Sequence, residues 1–473
     1  MNEARRGPSP RGLAMKEIAS LPYIDTAELR VGMFIHLELG WMSHPFPLSS
    51  FRIASAEQIA TIRSLGLPRV RWCPDRSEPE SAVAPEAAPQ DGTATPDEAT
   101  AAAAVPAAGG AGAAAPETAE AARQRRRRAA LAEQREAGQR AERQYAEASK
   151  ALRQTIEIVG TQPARAREQA QQLTRAMLDK MLVARELNIR LLAEGAGDRA
   201  SAHGMNVAIV ALLMGRSFGL SEPDLMDLGV GALLHDMGKL DLPDRIRWRD
   251  ESFTQSELDY YREHVAHGVA HGRKMGLTPG ALLVIAQHHE QADGGGFPLR
   301  LNIDRMSAAA RIVALVNRFD NLCNPAVPAK ALTPHEALSL MFAQGQRQFD
   351  TTMLSAFIKM LGVYPPGSAV QLTDDRYALV VSVNSTRPLK PRVLVYDPGT
   401  PRDEALLVDL ETTPGLGIRR SLKPLALPRE AIDYLSPRPR LAYFFEPAAE
   451  AGCEERDEHG AGRGSLAVEE RAA

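Results

Sequence analysis

The sequence predicts a multidomain, mainly α-helical protein, with an all-α helical bundle as core, a small α+β domain before it and a small β module after it. Three observations predict this class. The chain has 473 residues, more than one hydrophobic core usually serves, and 44% of them are hydrophobic. Residues 198–361 contain one capped apolar helix pattern after another. Strand-like alternation lies on either side, at 31–37 and 378–396.

The N-terminal α+β domain is expected at residues 18–75. A strand-like run at 31–37 is followed by a helix-like run at 56–65 and a closing strand at 69–72. Between the strands lies an aromatic cluster, which we interpret as a packed corner of the core in preference to a ligand-binding loop. The cluster consists of Trp41, His44, Pro45 and Phe46.

A linker and a helical connector are predicted next. Residues 76–122 are mostly Ala, Pro, Gly, Thr and acidic residues, which cannot bury enough apolar surface to become ordered, so this linker is expected to be disordered. Residues 123–196 are rich in good helix formers, and Pro163 separates a first helix from a second one at 164–194. From its position, this connector is expected to transmit signals or to pair subunits in a homodimer.

The helical domain is expected at residues 197–362, where Ser221, Thr254 and the Thr278-Pro279 pair mark helix starts. A β-rich module is expected at 363–446, and the polar tail at 447–473 is expected to be disordered.

Composition excludes several classes of protein. Lys and Arg total 56 against 59 Asp and Glu, so the net charge of -3 predicts no attraction of the whole protein to a DNA or RNA polymer or to an anionic membrane. The three cysteines have no paired spacing, which argues against a disulfide framework and fits a reducing cytoplasm. No apolar run approaches the length of a membrane span. A cytoplasmic location is therefore expected.

Polar residues with metal-binding chemistry lie at the ends of the apolar helices. A single His-Asp pair more often caps a helix, but seven of the 11 histidines fall between positions 203 and 289. A helical bundle can project such ligands inward from different helices, and the set could supply two metals bridged by Asp236. His267 and His271 are interpreted as surface or core residues. The candidates are His203, His235, Asp236, His264, His288 and His289, with Lys239 and Asp293 close by.

The order of these residues resembles the HD-GYP branch of the HD metal-dependent phosphohydrolases. The shared motifs are a lone His203, then His235-Asp236-x-Gly238-Lys239, His264-Val265-x-x-Gly268 and His288-His289-Glu290-x-x-Asp293-Gly294-x-Gly296-Phe297-Pro298. The motifs Leu29-Arg30-Val31-Gly32-Met33 and His44-Pro45-Phe46 resemble the uncharacterised module often found ahead of such domains.

This resemblance implies a function in bacterial second-messenger signalling. It implies a phosphodiesterase that hydrolyses cyclic di-GMP to pGpG, and in many members on to GMP, at a centre of iron, manganese or similar ions. Two cations acidify a water that lies between them and stabilise charge on phosphate oxygens. Lys239 would hold a phosphate oxygen. The loop of Asp293, Gly294, Gly296, Phe297 and Pro298 would approach the nucleotide, with Phe297 stacked on guanine.

The sequence departs from the family pattern at several positions. Phe297 stands where the family has Tyr, so an aromatic face is kept and a hydroxyl is lost. Asn317 stands where the family has an Asp ligand, and its amide oxygen could still bind metal without adding charge. Asp320, on the same helical face, could compensate, with an N-terminal or surface role as an equal alternative. An Arg-Pro-Tyr-Arg segment is absent, which leaves Lys330 as a candidate phosphate contact. Arg199 replaces a Glu, so two metal ions are expected.

Three functional hypotheses remain at this point. The first is a metal-dependent cyclic di-GMP phosphodiesterase. The second, based on Asn317 and the absent Arg segment, is a signalling protein of the same fold that binds cyclic di-GMP or a protein partner with weakened or no catalysis. The third is an HD hydrolase of nucleoside polyphosphates, against which the Gly-Phe-Pro loop argues.

Overall fold

The computed structural model describes residues 21–38, 50–77, 118–184, 186–192, 198–248, 252–345, 347–385 and 387–448. Within these residues the predicted fold class is confirmed: a mainly helical chain with a small sheet near each end. The aromatic cluster at 41–46 and the greater part of the predicted linker and tail lie outside the described residues.

The N-terminal domain is a four-stranded antiparallel sheet in the order β1-β4-β2-β3. One helix, α1, contributes Ile59 and Ile62 to a core that also contains Ile35 from the sheet. The sequence predicts the helix and the second and fourth strands within one to three residues of their observed ends. The elements are β1 (Tyr23–Asp25), β2 (Phe34–His36), β3 (Ser50–Arg52), α1 (Ala56–Ser64) and β4 (Arg69–Cys73).

Two long helices, α2 (Ala119–Glu157) and α3 (Pro163–Val183), follow. Thr118 caps α2 by accepting a hydrogen bond from the backbone of Ala121. Pro163 begins α3, where its missing N–H would have had no partner in the helix. Buried side chains of both helices, such as Tyr145, belong to the same hydrophobic core as the later helices. The connector predicted at 123–196 is therefore part of one packed body with the helical domain.

The helical bundle that follows is positioned by polar N-caps. The N-cap side chains of Ser221, Thr254, Thr278 and Ser307 each accept a hydrogen bond from a backbone N–H in the first turn. The helix that begins after Thr254 ends at Arg262, and a second helix begins at His264, directly after Glu263. The helices are α4 (Arg199–Ser217), α5 (Glu222–Leu234), α6 (Gln255–Arg262), α7 (His264–Met275), α8 (Pro279–Gln287), α9 (Ala308–Cys323), α10 (Pro334–Gln344) and α11 (Thr351–Leu361).

A seven-stranded sheet occupies the C-terminal part of the described chain, with the main order β10-β6-β7-β5-β11 and β8 joining β7 to β9. The strands predicted at 378–383 and 392–396 are confirmed as β7 and β8. The elements are β5 (Leu187–Leu191), β6 (Ala369–Leu372), β7 (Tyr377–Asn384), β8 (Arg392–Val395), β9 (Val408–Asp409), β10 (Ile418–Leu422), α12 (Arg429–Leu435) and β11 (Tyr443–Pro447).

The strand β5 corrects the prediction of a helix at 164–194, because the helix ends at Val183. Leu187, Ile189 and Leu191 are buried, and β5 pairs antiparallel with both β7 and β11. Ion pairing between Arg190 and Glu446, at 3.1 Å, supports the second pairing. The main hydrophobic core runs from the connector to β11. Residues on both sides of the positions 197 and 363 therefore contribute to a shared core.

A lysine is buried in α3. The side chain of Lys180 is 2% exposed, and burial lowers its pKa from 10.5 to about 8, against the opposing effect of Asp179 and Glu147. Its ammonium form is therefore disfavoured in the folded state. Since the folded pKa is the lower one, the penalty is full below pH 8 and disappears as pH rises towards 10.5.

The substitution Lys180→Met is expected to raise the free energy of unfolding at pH 7 by about 1–3 kcal/mol, because it keeps an apolar stem and removes the buried charge. Chemical denaturation at pH 7 and again near pH 10 measures the difference, which should shrink at the higher pH. Lys359→Met, at an exposed position of α11, is the control. A gain that is equal at both pH values would contradict this account.

No helix among the described residues combines the length and the apolar character needed to cross a bilayer.

Candidate metal centre

The predicted histidines come together where helices end or begin. His203 lies within α4, His235 follows the last residue of α5, and His264 is the first residue of α7. His288 follows the last residue of α8, and all four side chains are buried. Asp236 comes directly before a short 3-10 helix, Met237–Asp241.

Close packing of this 3-10 helix on α7 brings Asp236 to His264. A Cβ atom at Gly238 would lie 1.9 Å from the carbonyl oxygen of His264 and 2.4 Å from the backbone nitrogen of Gly268. Only a residue without a side chain can therefore occupy position 238. Gly238 thus permits this approach between backbones, whereas a Cβ atom at Gly268 would meet the side chain of Ile285 at 3.1 Å.

The imidazoles face one another in two pairs. The Nε2 atoms of His203 and His235 are 3.1 Å apart, and those of His264 and His288 are 3.3 Å apart. These distances correspond to hydrogen bonds if one nitrogen of each pair carries a proton. The partners of the other ring nitrogens decide whether it does.

Each Nδ1 atom faces an acceptor. Those of His235, His264 and His288 lie 2.6, 2.6 and 2.7 Å from the carbonyl oxygens three residues earlier in the chain. His203 Nδ1 lies 2.6 Å from the carboxylate of Asp320. From these partners we infer that Nδ1 carries the proton in each neutral ring. Each Nε2 then presents a lone pair, and two facing lone pairs at these distances require a cation between or beside them.

Asp236 lies between the two pairs. Its Oδ2 atom is 3.6 Å from the Nε2 atoms of both His203 and His235. Its Oδ1 atom is 3.6 Å from His264 Nε2 and 3.7 Å from His288 Nε2. Oδ1 is buried and accepts no hydrogen bond within the described chain. One carboxylate thus offers one oxygen to each pair of imidazoles.

His289 completes the second group. Its Nε2 atom is buried and, among the described residues, has no hydrogen-bond partner. Donor atoms of Asp236, His264, His288 and His289 lie within 4.8 Å of one another, and those of His203, His235 and Asp236 form another such group. Imidazole nitrogen and carboxylate oxygen are ligands of first-row transition metals. The facing lone pairs and the two unsatisfied atoms therefore fit divalent metal ions.

The protonation states also suit metal binding. Burial lowers the pKa of His264 to about 3 and holds the pKa values of His235 and His289 well below their usual range. Burial is the largest single effect and would raise the pKa of Asp236, but Lys239 and the neighbouring histidines together outweigh it and hold that pKa well below its usual range. The imidazoles of His235, His264 and His289 are therefore neutral and the Asp236 carboxylate is ionised near pH 7, which are the forms that bind metal.

The loop after His289 is built around Glu290. The carboxylate of this buried residue accepts hydrogen bonds from the backbone of Leu299 at 2.7 Å and Leu301 at 2.8 Å. Gly294 has a φ of 77°, and a Cβ atom at Gly296 would lie 2.5 Å from the backbone of residues 289–291. The loop therefore folds back tightly on the segment that carries His288 and His289.

The three other predicted loop residues are placed differently from one another. Asp293 accepts a hydrogen bond from the backbone of Gly295 at 2.9 Å and so caps its own turn. Pro298 is exposed. Phe297 stacks on the ring of His289, with 4.4 Å between centroids and 23° between planes. One face of Phe297 is therefore occupied by a clustered histidine, and the Arg262 guanidinium also lies over this ring, 5.5 Å from its centroid.

Two family models match the chain. The model described as HD domain matches residues 153–353, and the model described as domain of unknown function (DUF3391) matches residues 22–170. The chain contains an HD domain. The HD domain and the module of unknown function ahead of it both agree with the motifs described above. The predicted resemblance to the HD-GYP branch is therefore confirmed.

Several curated proteins are similar to part of this chain. One is "Cyclic di-GMP phosphodiesterase PA4108" of Pseudomonas aeruginosa, 29% identical over 197 residues, which are 41% of this chain and 47% of that protein. A second is "Cyclic di-GMP phosphodiesterase response regulator RpfG" of Xanthomonas campestris pv. campestris, 31% identical over 32% of this chain and 40% of that protein. A third is "3'3'-cGAMP-specific phosphodiesterase 2" of Vibrio cholerae, 27% identical over 39% and 36%. The chain thus spans less than half the length of each of these relatives.

Asn317 of the HD domain is not joined to the clustered histidines by any hydrogen bond within the described chain. It lies in α9 and is buried, and its amide oxygen accepts a hydrogen bond from Asn321 Nδ2 at 2.6 Å. From the sequence, Asp320 is a candidate to replace the ligand that is missing at Asn317. Its Oδ2 atom instead accepts the proton of His203 Nδ1, so Asp320 orients a candidate ligand and does not join the cluster.

The two lysines predicted to contact phosphate, Lys239 and Lys330, lie in different surroundings. Lys239 Nζ lies 2.6 Å from Asp236 Oδ2, inside the cluster. Lys330 lies in an exposed 3-10 helix, Pro328–Lys330, and is not among the residues that line the cleft beside His203. The structure therefore brings one of the two predicted phosphate contacts to the cluster.

Sequence reasoning missed a second layer of buried polar residues. Asn206 and Asn324 each donate to Asp320 Oδ1, at 2.8 and 2.9 Å, and each also donates to the carbonyl oxygen of Leu441. The role of Glu290 in holding the loop was not predicted either, although the residue belongs to one of the shared motifs. The available signal was a polar side chain on an otherwise apolar helix face, which is expected to find a partner when buried.

Proposed function

We propose that this chain is a metal-dependent phosphodiesterase that hydrolyses cyclic di-GMP to pGpG, GMP or both. The observation that carries the proposal is the position of Asp236 between two pairs of imidazoles whose Nε2 lone pairs face each other. The curated relatives named as cyclic di-GMP phosphodiesterases support the choice of substrate.

We propose two divalent or trivalent metal ions, with iron or manganese as the favoured elements. His203, His235 and Asp236 Oδ2 would hold one, and Asp236 Oδ1 with the second histidine group would hold the other. When bound, such ions would acidify a water molecule and offset the charge that develops on phosphate oxygens. Arg199 adds a positive charge beside His203, which supports two ions in preference to three.

Lys239 is proposed to serve the phosphate. Its ammonium pairs with Asp236 and lies 5.3 and 5.4 Å from the ring centroids of Trp248 and Tyr261. Although burial opposes it, the pairing with Asp236 raises the pKa of Lys239, so the side chain stays cationic. A fixed cation at this place can attract a phosphate oxygen and orient it towards the cluster.

The remaining contacts of the substrate are proposed for the loop of Asp293, Gly294, Gly296, Phe297 and Pro298 and for Lys330. The exposed Asp293 and Pro298 flank the tight turn, and Phe297 continues the aromatic surface that begins at His289. A guanine base could stack on this surface because every nucleobase has an apolar face.

The direct test is incubation of the purified protein, loaded with iron(II) or manganese(II), with cyclic di-GMP. We expect pGpG or GMP, measured by anion-exchange chromatography. A parallel reaction with 3'3'-cGAMP tests the specificity that one relative is named for. Absence of products with both metals would contradict the proposal. Tight binding of cyclic di-GMP without hydrolysis would favour the alternative of a signalling protein that binds the nucleotide.

A substitution at position 317 tests the departure from the family. Asn317→Asp keeps the acceptor for Asn321 and adds a charge at a position that is 3% exposed. Metal retention should rise by about tenfold, whereas the metal-free variant should lose about 1–3 kcal/mol of unfolding free energy, because a buried charge is costly without a counter-ion. Elemental analysis after dialysis against a chelator measures the first effect. Asn302→Asp, on the exposed loop, is the control, and unchanged metal content would contradict the expectation.

Two further parts of the proposal concern location and assembly. A cytoplasmic location is supported by the cysteines at 73 and 323, which are free. A homodimer through the connector is supported by the N-terminal half of α2, which is largely exposed. Sedimentation analysis of the full chain tests the second point.

A further inference from the structure

A cleft adjoins the metal centre at His203. It is open to solvent. Its walls carry two arginines, one tryptophan and several amides, and no role has been assigned to most of them. The lining residues are Arg199, Ala202, His203, Asn206, Trp248, Asp320, Asn321, Asn324, Arg440 and Leu441.

The charge of the cleft is unbalanced. Arg199 and Arg440 have no carboxylate partner at ion-pairing distance among the described residues. Burial, and then the nearby Arg440, lower the pKa of Arg199, so the two cations work against each other. Asp320 is the acidic lining residue, but its oxygens already accept from His203, Asn206 and Asn324. An anion between the two guanidinium groups would relieve this repulsion.

The two arginines are held in place by different parts of the chain. The Arg199 guanidinium lies 4.0 Å from the ring centroid of Trp248, a cation–π contact. Arg440 precedes Leu441, whose backbone makes hydrogen bonds to both Asn206 and Asn324 at 2.8–3.0 Å. The C-terminal segment is thereby fixed to the two helices that hold His203 and Asp320.

Trp248 also joins the cleft to the metal centre. The centroid of its indole ring lies 5.3 Å from the ammonium of Lys239, while Arg199 lies on the same ring at 4.0 Å. A ligand with one phosphate at Lys239 and a second phosphate at the arginines would therefore cover the tryptophan. A cyclic dinucleotide, with two separate phosphodiester groups, is such a ligand, whereas a nucleoside monophosphate carries a single phosphate.

We propose that this cleft binds the second phosphate of a cyclic dinucleotide, the one that is not being hydrolysed, with Arg199 and Arg440 as its cationic contacts. The inference rests on the proposed function. It makes the C-terminal segment, through Arg440, a part of the substrate site. Arg440 and Arg199 then determine binding of the substrate more than the rate of the chemical step.

The test uses the full-length chain with Arg440→Ala and Arg199→Gln, each loaded with the same metal as the unmodified protein. KM for cyclic di-GMP is expected to rise about tenfold to a hundredfold in each variant, with a smaller change in kcat and unchanged metal content. Arg440→Lys keeps the charge and should recover most of the affinity. The control is Arg429→Ala, which removes an arginine of the same segment whose side chain is 91% exposed.

Calorimetric titration of the metal-free proteins with cyclic di-GMP supplies a readout that does not depend on turnover. The same loss of affinity is expected in Arg440→Ala and Arg199→Gln. If the unmodified protein binds or hydrolyses cyclic di-GMP and both variants keep its Kd and KM, the cleft assignment is overturned and the proposed function stands. If the unmodified protein neither binds nor hydrolyses cyclic di-GMP, the proposed function is overturned together with this inference.

Discussion

Replacement of Asp236 by Asn is expected to abolish metal retention and phosphodiester hydrolysis while the helices stay folded. The amide has the shape of the carboxylate but no charge, and it offers one acceptor oxygen where two groups of imidazoles now approach two. The substitution also leaves the Lys239 ammonium, 2.6 Å away, without its counter-ion. Metal affinity should fall by more than about a hundredfold, which is the upper end for partners that only support a ligand.

The measurements are metal content by elemental analysis after gel filtration, hydrolysis of cyclic di-GMP, and helix content by circular dichroism. His235→Ala is expected to have the same two losses, because it removes one nitrogen of the first facing pair. Asp241→Asn is a matched control, since that carboxylate contacts His271 at 2.9 Å outside the cluster. Wild-type metal content and turnover in Asp236→Asn would refute the bridging assignment.

The candidate ligands could be predicted from the sequence because their signal is local. An apolar helix pattern that ends in His-Asp or His-His places an imidazole at a helix end, where its Nδ1 can reach the carbonyl oxygen three residues earlier. Gly238 is likewise recognised from a local motif, although glycine is required there because the backbone contacts α7. Five histidines and one aspartate predicted in this way lie together in the structure.

The pairing of the histidines could not be predicted, because it depends on contacts between distant segments. Spacing alone does not say that His203 faces His235 while His264 faces His288. The same limit explains β5: five residues that follow a long helix become a strand because β7 and β11, about 190 and 250 residues later, pair with them. Local preference for a helix was outweighed by these pairings.

Asp320 has a set of partners that its position in the sequence could not indicate. Its position on the same helical face as Asn317 suggested that it could replace a missing ligand. Its carboxylate instead accepts from His203, Asn206 and Asn324, which are 117, 114 and four residues away in the chain. Which donors surround a carboxylate is a property of the fold and does not follow from its position on one helix.

Asp320→Asn is expected to weaken metal binding and stability together. The amide retains one oxygen, but its NH2 group would face a donor, because all three present neighbours donate to Asp320. If His203 loses its acceptor, the ring is no longer held with Nε2 towards the cluster, and metal affinity should fall about tenfold to a hundredfold. If Asn206 or Asn324 loses it, a buried donor remains unsatisfied, at a cost of about 1–3 kcal/mol.

Competition with a chelator measures the metal affinity, and chemical denaturation measures the unfolding free energy. Asn324→Ala separates the two effects, because it removes hydrogen bonds to Leu441 and leaves the contact between Asp320 and His203. This variant should be less stable but should keep its metal affinity. Wild-type metal affinity in Asp320→Asn would mean that the buried packing around His203 orients the ring without help from the carboxylate.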